Sequence, residues 1–349
     1  MAKLHALLRL PVKSIVTFII LIGLFLLCSS LADAQTGVCY GILGSNLPSP
    51  PEVVSLCLQH GIRSVRIYNP NPNILQALSG SKISVMVGVP NEEIPAIGRN
   101  PAVAQEWVQN NIRRFPGVSF KYIVVGNEID PLNPADAGIA PYVGPAMENI
   151  YSAVSGTIKV STSISTGLLG QSYPPSAGAF KAEIAGFIGP IINFLKTRNS
   201  PLLANIYPFL AYAGDPSHIS LEYALFTSSS AVVIDGPYSY QNLFVAILDA
   251  IHVALEKYGA QNVDVVVSET GWPTAGGPAT TVDNARIYNN NLINHVRGGT
   301  PRRTGKYIEA YIFDLIDEDQ KSPELEKHWG VFYPNKQPKY QISFSGSKN

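Results

Sequence analysis

The amino-acid sequence predicts an α/β protein built as a single (β/α)8 TIM barrel. Short apolar runs rich in Val, Ile and Tyr occur eight times, and segments with helical periodicity separate them. No Pro-, Gly- or Ser-rich linker divides the chain. With 349 residues, of which 46% are hydrophobic and 14% charged, the chain is long enough to enclose one large core.

The eight predicted strands are the apolar runs at 38–44, 62–69, 82–90, 120–128, 158–165, 202–209, 263–271 and 307–318. Their interiors, such as Tyr122-Ile123-Val124-Val125, are continuously apolar rather than alternating with polar residues. This pattern is typical of parallel strands that are covered on both faces.

Helices are predicted between these strands, several of them opened by Pro and closed near Gly, at 50–60, 101–114, 141–155, 180–197, 240–258 and 282–297. An extra hairpin is predicted within 222–238, and the last repeat is too short for a full helix. A doubly wound nucleotide-binding sheet is disfavoured, because Gly41-Ile42-Leu43-Gly44 forms neither G-x-G-x-x-G nor a P-loop.

The first 34 residues have the pattern of a secretory signal peptide. Basic residues precede an apolar run at 15–27, and the small residues Ala32-Asp33-Ala34 follow it. The run is shorter than the roughly 20 residues that cross a bilayer. The sequence therefore predicts a signal peptide over 1–34, a mature domain over 35–349, and secretion.

Several classes of partner are disfavoured by composition. Lys+Arg and Asp+Glu number 25 each, and the basic residues are dispersed, so no nucleic-acid partner is expected. The C-terminal residues 343–349 carry no hydrophobic tail, so no lipid anchor is expected. Cys39 and Cys57 remain after the signal peptide, and the sequence leaves open whether they form a disulfide or two buried thiols.

Two strand candidates end in a glutamate. The fourth ends in Val125-Gly126-Asn127-Glu128, and the seventh in Ser268-Glu269-Thr270. Because strands of such a barrel point their carboxyl ends at one mouth, the two carboxyl groups are candidates for a catalytic pair. Retaining glycosidases need two carboxyl groups about 5–5.5 Å apart. Asn127 could hold a sugar 2-hydroxyl beside the acid, although a single Glu at a strand end is ordinarily a solvated loop residue.

Other chemistries lack their motifs. The sequence contains no H-E-x-x-H, C-x-x-C or G-x-S-x-G, so neither a zinc site nor an α/β-hydrolase nucleophile is predicted. No metal or cofactor is expected. Aromatic residues at strand ends could stack on sugar rings, namely Tyr68, Tyr207, Phe209 and Trp272, and Asn205 could add a hydrogen bond.

The chain resembles the plant β-1,3-glucanases (glucan endo-1,3-β-glucosidases) of glycoside hydrolase family 17 over residues 37–344. The resemblance rests on an ordered series of motifs, namely Val38-Cys39-Tyr40-Gly41, Arg66-Ile67-Tyr68, Val125-Gly126-Asn127-Glu128, Asn205-Ile206-Tyr207-Pro208, Ser268-Glu269-Thr270-Gly271-Trp272-Pro273, Asp283-Asn284-Ala285 and Tyr311-Ile312-Phe313 with Asp317-Glu318-Asp319-Gln320-Lys321. It implies a (β/α)8 catalytic domain, retention of configuration, Glu128 as acid/base and Glu269 as nucleophile.

The resemblance also implies a supporting cluster of Glu318, Lys321 and Glu326, which the residues alone would assign to an ordinary charged loop. Three positions depart from the usual family pattern. Asn69 and Val245 stand where Asp is common, and 313–317 (Phe-Asp-Leu-Ile-Asp) replaces a more apolar stretch. None of these departures removes a predicted catalytic carboxylate.

The predicted function is endo-hydrolysis of β-1,3-glucans such as callose, laminarin and fungal wall glucan. The expected partner is the β-glucan polysaccharide, and the expected form is a secreted monomer in the apoplast or cell wall. Three alternatives stay open: cleavage of mixed 1,3;1,4-β-glucan, glucan binding with negligible turnover, and transglycosylation. Defence against fungi and remodelling of plant callose use the same chemistry, and the sequence does not choose between them.

Overall fold

The computed structural model describes residues 36–344, which lie within one compact unit. The predicted signal peptide, 1–34, lies outside the described residues. No helix in the described part of the chain is both long and apolar enough to span a membrane.

Eight parallel strands close into a barrel in chain order, β1 pairing with β2 and on around to β8, which pairs with β1. The strands are β1 (Gly37–Cys39), β2 (Ser64–Ile67), β3 (Ser84–Val89), β4 (Ser119–Asn127), β5 (Lys159–Ser165), β6 (Leu202–Asn205), β7 (Val265–Thr270) and β8 (Ala310–Ile312). Each lies inside or within one residue of a predicted apolar run, so the predicted fold class is confirmed.

The helices surround the barrel and are α1 (Pro50–Gln59), α2 (Pro72–Leu78), α3 (Ile94–Arg99), α4 (Pro101–Val108), α5 (Val143–Ala153), α6 (Ala185–Arg198), α7 (Pro208–Gly214), α8 (Leu221–Ala224), α9 (Leu243–Glu256) and α10 (Val282–His295). The six predicted helices correspond to α1, α4, α5, α6, α9 and α10. A π-helical turn, Gln109–Arg113, extends α4. The sequence analysis missed the four short helices α2, α3, α7 and α8.

Local signals explain where several helices begin. In α1 the Glu52 carboxylate accepts a hydrogen bond from the Ser49 backbone N–H at 3.0 Å. The Asn71 side chain caps α2 by accepting from the backbone N–H of Asn73. Pro residues occupy the first turn of both helices, where a missing N–H breaks no helical hydrogen bond.

The predicted hairpin after β6 is present, formed by Val233–Asp235 and Tyr238–Tyr240, slightly later than the predicted span. After β8 the described residues contain only a 3-10 turn, Glu324–Lys327, where a last helix would stand. Cys39 and Cys57 are both buried and both free, which settles the alternative that the sequence left open. The core lies inside the barrel wall and between that wall and the helices.

Candidate active site

The two strand-end glutamates line one cavity. Glu128 follows β4 and Glu269 lies in β7, and both face a cavity of about 470 Å³ at the carboxyl ends of the strands. This is the end at which barrels of this kind carry their reactive groups. Glu318, Lys321 and Glu326 line the same cavity. The structure therefore brings together all five charged residues that the sequence analysis singled out.

Glu128 occupies an unusual backbone conformation. Its φ is +55°, and Gly126, two residues earlier, has a φ of +91°. Left-handed backbone is costly for a residue with a side chain, and it persists where the surroundings fix it, as at many active sites. The positive φ of Gly126 favours glycine at this position, and a Cβ there would also press on the end of the Ile129 side chain.

Glu128 is the carboxyl group suited to hold a proton. Its side chain is open to the cavity, but the protein around it reduces its solvation, and this desolvation raises its pKa, as does the negative charge of Glu269. Its one side-chain hydrogen bond, from Asn205 Nδ2 to Oε1 at 3.0 Å, acts in the opposite direction.

Unlike Glu128, whose side chain is open to the cavity, Glu269 is only 6% exposed. Arg66 NH1 lies 2.8 Å from its Oε1. The Tyr68 hydroxyl donates to the same oxygen at 2.9 Å, and the Tyr207 hydroxyl donates to Oε2 at 2.6 Å. The cation and the two hydroxyl donors pair the charge of the carboxylate and fix its orientation.

A buried polar network connects the two glutamates. Asn205 stands opposite Glu269 in the β6–β7 pairing, and its amide reaches Glu128. Its Oδ1 accepts a hydrogen bond from Arg66 NH1 at 3.0 Å, and the other guanidinium nitrogen donates to Asn127 Oδ1 at 2.7 Å. Arg66 thus orients the nucleophile candidate and both asparagines at once.

Sequence reasoning cited Arg66 only as part of a motif and missed this role. The signal was present in the sequence, because Arg66 interrupts the apolar run Val65-Arg66-Ile67. An arginine that is 2% exposed needs a partner for its charge.

Replacing Arg66 by Met should lower the free energy of unfolding by about 3–5 kcal/mol, because it leaves the Glu269 carboxylate buried without its cation. Urea denaturation would measure the loss. Arg66→Lys keeps the charge but not the forked geometry, so an intermediate value is expected. Wild-type stability in the Met variant would contradict the assigned ion pair.

Glu318 and Lys321 form a charged part of the cavity wall. Glu318 is buried, and its Oε1 accepts a hydrogen bond from the Leu43 backbone N–H at 2.5 Å while Oε2 lies 2.8 Å from Lys321 Nζ. A Cβ at Gly41 would clash with this carboxylate, so glycine permits the contact. Glu326 is half-buried, and desolvation raises its pKa.

The aromatic predictions divide into two groups. Tyr68 and Tyr207 line the cavity, whereas the prediction that Phe209 and Trp272 contact substrate is wrong. Phe209 is 1% exposed and Trp272 is fully buried, with ring centroids 5.1 Å apart. The chain turns into α7 at Pro208, so the Phe209 ring packs behind the cavity, and the Trp272 indole N–H donates to the Ala279 carbonyl.

The rings that do line the cavity beside Tyr207 are Phe313 and Trp329, with centroids 6.1 and 5.1 Å from the Tyr207 ring. The sequence analysis did not select them. Neither follows a predicted strand end, so the criterion used there could not find them.

Trp272→Ala should lower the free energy of unfolding by about 3–5 kcal/mol, because it leaves a large cavity in the aromatic core. Urea denaturation compared with Tyr173→Ala, whose ring is 67% exposed, would measure this. If Trp272→Ala folds with normal stability but shows a higher KM, Trp272 contacts the substrate after all.

A second cavity of about 300 Å³ continues from the first, and Tyr68, Asn69 and Asn127 line both. The mouth of the barrel therefore carries a groove that extends past the carboxylates along the ends of β2 to β4. Asn91 lies in it, and its side chain accepts from the Asn127 N–H and donates to the Asn127 carbonyl. The two adjoining cavities therefore give the site an extended shape instead of a single closed pocket.

A cavity of about 500 Å³ lies at the other end of the barrel, where strands β5, β7 and β8 begin. Its charged groups include the ion pairs of Asp264 with Lys306 and Arg303. Residues at this end of a barrel serve stability. Cavity volume alone would not show which end of the barrel carries the active site, but the pair of Glu128 and Glu269 does. Among the described residues, no group of three or more His, Cys, Asp or Glu could hold a metal ion.

An eight-stranded parallel barrel with two glutamates of unlike surroundings at the carboxyl ends of its strands is the arrangement expected of a glycoside hydrolase. The family profile of glycosyl hydrolases family 17 matches residues 36–344, and the chain belongs to that family.

Relatives and solved structures agree with this assignment. The chain is 51% identical over 335 residues to a glucan endo-1,3-beta-glucosidase of Vitis vinifera, covering 94% of this chain and 97% of the relative. It is 48% identical to a basic vacuolar isoform of the enzyme from Nicotiana tabacum, with 94% and 91% covered.

Two solved structures superpose closely. One, from a study of two plant beta-glucan endohydrolases with distinct substrate specificities, has a TM-score of 0.85, 48% identity, and coverage of 88% of this chain and 100% of that chain. CJP38, a beta-1,3-glucanase and allergen of Cryptomeria japonica pollen, has a TM-score of 0.87, 44% identity, and coverage of 90% and 100%.

Proposed function

We propose that the protein is an endo-acting hydrolase of β-1,3-glucan that retains anomeric configuration. The observation that carries this proposal is the pair of unlike carboxyl groups at one cavity. Glu128 has a raised pKa and faces open space, whereas Glu269 is held by Arg66, Tyr68 and Tyr207. A carboxyl group with a raised pKa beside a second carboxyl group paired with a buried cation is the pattern of a general acid and a nucleophile.

In the first step Glu269 attacks the anomeric carbon while Glu128 gives its proton to the departing glycosidic oxygen. Tyr68 and Tyr207 each donate to a different oxygen of Glu269, so they hold the carboxylate plane toward the substrate. The product is a covalent glycosyl-enzyme and a shortened glucan chain.

In the second step Glu128, now ionised, takes a proton from water, and the resulting hydroxide displaces Glu269 from the anomeric carbon. The Asn205 Nδ2 donor, 3.0 Å from Glu128 Oε1, stabilises the ionised carboxylate between the two steps. Asn127 is proposed to contact the sugar 2-hydroxyl, since Arg66 holds its Oδ1 and thereby orients its amide.

Internal cleavage is supported by the groove, which extends beyond the carboxylates instead of closing into a pocket around one sugar. Tyr68 and Tyr207 supply ring surface beside the cleavage position. Glu318, Lys321 and Glu326 line the same cavity, and we assign them to holding and tuning the carboxylates rather than to the reaction itself.

Secretion as a monomer into the cell-wall space remains a proposal. It rests on the signal-peptide pattern of residues 1–34. One relative is named a vacuolar isoform, so the cellular location of the protein does not follow from its glucanase activity. Size-exclusion chromatography and a fluorescent fusion of the full chain would address the two points.

The decisive experiment is reducing-sugar release by residues 35–349 from laminarin and from barley mixed-linkage glucan in parallel. The proposal expects laminarin to be cleaved to oligosaccharides of several lengths, and the first product to carry the β configuration in its NMR spectrum. Faster cleavage of the mixed-linkage glucan would change the assigned substrate to 1,3;1,4-β-glucan. Products longer than the substrate would indicate transglycosylation, and binding without cleavage would reject hydrolysis.

A further inference from the structure

A buried carboxyl group lies directly behind the cavity wall, in the segment that departs from the family pattern. Asp314 follows β8 and is 1% exposed, and it does not line the cavity. Its backbone N–H donates to the Trp329 carbonyl, and its carbonyl accepts from the Val331 N–H, so the segment is pinned in place. The activity described above gives this carboxyl group no role.

The two oxygens of Asp314 have different partners. Oδ1 accepts a hydrogen bond from the Leu315 N–H at 2.6 Å. Oδ2 is buried and receives no N–H or hydroxyl donor from the described residues. The Asp314 carboxyl group instead lies beside that of Glu318, close enough to share a hydrogen bond if one of the two is protonated. Two acid groups in such contact need a proton between them, because ionised carboxylates repel and have no hydrogen to share.

The donors around each group indicate where this proton resides. Glu318 receives the Leu43 N–H on one oxygen and the Lys321 ammonium on the other, and both stabilise its ionised form. Asp314 receives one backbone N–H. Lys321 carries the one cation of the cluster, so a single carboxylate balances it and a second would be buried in excess. The proton therefore belongs to Asp314.

Other titratable groups that face Asp314 do not compensate for a second negative charge. On the side of β1 these are the Cys39 thiol and the Tyr40 hydroxyl, and burial raises the pKa of both, so they stay neutral. Glu326 lies beyond Lys321 and is itself an acid. Burial, with Glu318 next, likewise raises the pKa of Asp314 well above its ordinary value.

From this geometry we propose that Asp314 is a positioning residue. Its carboxyl group stays protonated and donates a hydrogen bond to the Glu318 carboxylate. Glu318 then holds the Lys321 ammonium against the cavity wall, 4.2 Å from the centre of the Phe313 ring. Asp314 thus acts on the site through Glu318 and Lys321 and touches no reacting atom. Only the activity readout of this proposal rests on the proposed function.

The first test is thermal unfolding of wild type and Asp314→Asn across the range from about pH 4.5 to about pH 8. A carboxyl group whose folded pKa is raised stabilises the fold below its unfolded pKa, and that stabilisation is lost as pH rises toward the folded value. The Asn variant has no carboxyl group to lose a proton at this position. The Tm of Asp314→Asn minus that of wild type should therefore increase by at least about 2 °C from the acidic to the alkaline end of this range.

The control is Asp319→Asn, because Ser45 holds that exposed carboxylate by hydrogen bonds and lowers its pKa. Its difference from wild type should be flat over the same range, since the group is ionised both folded and unfolded. A flat difference for Asp314→Asn would overturn the proposal. The opposite slope would show that Asp314 is an ionised partner of Lys321.

The second test is rescue of activity on laminarin. Asp314→Asn keeps an N–H donor toward Glu318, whereas Asp314→Ala removes it, so kcat/KM of the Asn variant should exceed that of the Ala variant by about tenfold. Equal losses in both variants would reduce Asp314 to a packing residue. If the wild type fails to cleave laminarin, the proposed function fails, but the stability slope still decides where the proton lies.

Discussion

Replacing Glu269 by Gln should lower kcat on laminarin on the order of 10⁴-fold or more, the loss typical when an enzyme loses its nucleophile. The amide is nearly the same size but cannot attack the anomeric carbon. It also presents N–H donors to a site where Arg66, Tyr68 and Tyr207 already donate, so its orientation is disturbed as well. Reducing-sugar release by the purified variant would measure the loss.

The matched control is Glu148→Gln, an exposed carboxylate that pairs with Arg198 away from the cavity. This change should leave kcat within about twofold of the wild type, because surface ion pairs contribute little. Binding of laminarin by Glu269→Gln, measured by calorimetry, should persist. If the variant retains more than about a tenth of wild-type kcat, Glu269 is not the nucleophile.

The barrel could be predicted from the sequence because its strands are buried on both faces. Such strands are continuously apolar, and the eight apolar runs correspond to β1 through β8 in order. Boundaries were less accurate where apolar residues continue beyond the sheet. The run at 307–318 contains a strand of three residues, Ala310–Ile312, and the buried Leu315 and Ile316 after it belong to an irregular segment. Apolarity reports burial, not hydrogen-bonded pairing.

The charged site residues could be located for a related reason. A glutamate after a buried parallel strand lies at the barrel mouth by topology alone, so Glu128 and Glu269 had to share an end. Glu318, Lys321 and Glu326 follow β8 and reach the same cavity, but only the family resemblance distinguished them from a solvated loop. Local sequence carries no information on which distant residue a charge will contact.

Side-chain direction could not be read from position. Tyr207 and Phe209 are two residues apart in one motif, yet Tyr207 hydrogen-bonds to Glu269 while Phe209 packs under the cavity. The cause is the start of α7 at Pro208, which ends the alternation of a strand. Trp272 failed as a prediction in the same way, because the chain leaves β7 before it.

The departure at Asp314 has consequences that composition could not reveal. An acid in an apolar segment near a strand end looks like an exposed loop residue. Its meaning depends on Glu318, four residues later, and on Leu43, which comes from the other end of the chain. Asp314, Glu318 and Lys321 are close in the sequence, but the Leu43 N–H that favours the ionised form of Glu318 comes from far away, so only the folded chain shows which of the two acids balances Lys321.

Glu128→Ala should lower kcat/KM on laminarin by about 10²–10⁴-fold, the usual contribution of a general acid. The loss should shrink for a substrate with a good leaving group, such as a dinitrophenyl laminaribioside, because that group departs without a proton. With this substrate, added azide should accelerate turnover and yield a β-glycosyl azide. The space left by the missing side chain admits the anion, which needs no general base.

The pH dependence of kcat/KM is an independent test of Glu128 as the general acid. Desolvation and the charge of Glu269 raise the pKa of Glu128, so wild-type kcat/KM should be high below that pKa and fall as pH rises through it. The Ala variant, assayed on the activated substrate, should lack this alkaline decline. If the decline persists in the variant, or if azide gives an α-linked product, the proton at the cleaved bond comes from another group and the roles of Glu128 and Glu269 must be exchanged or abandoned.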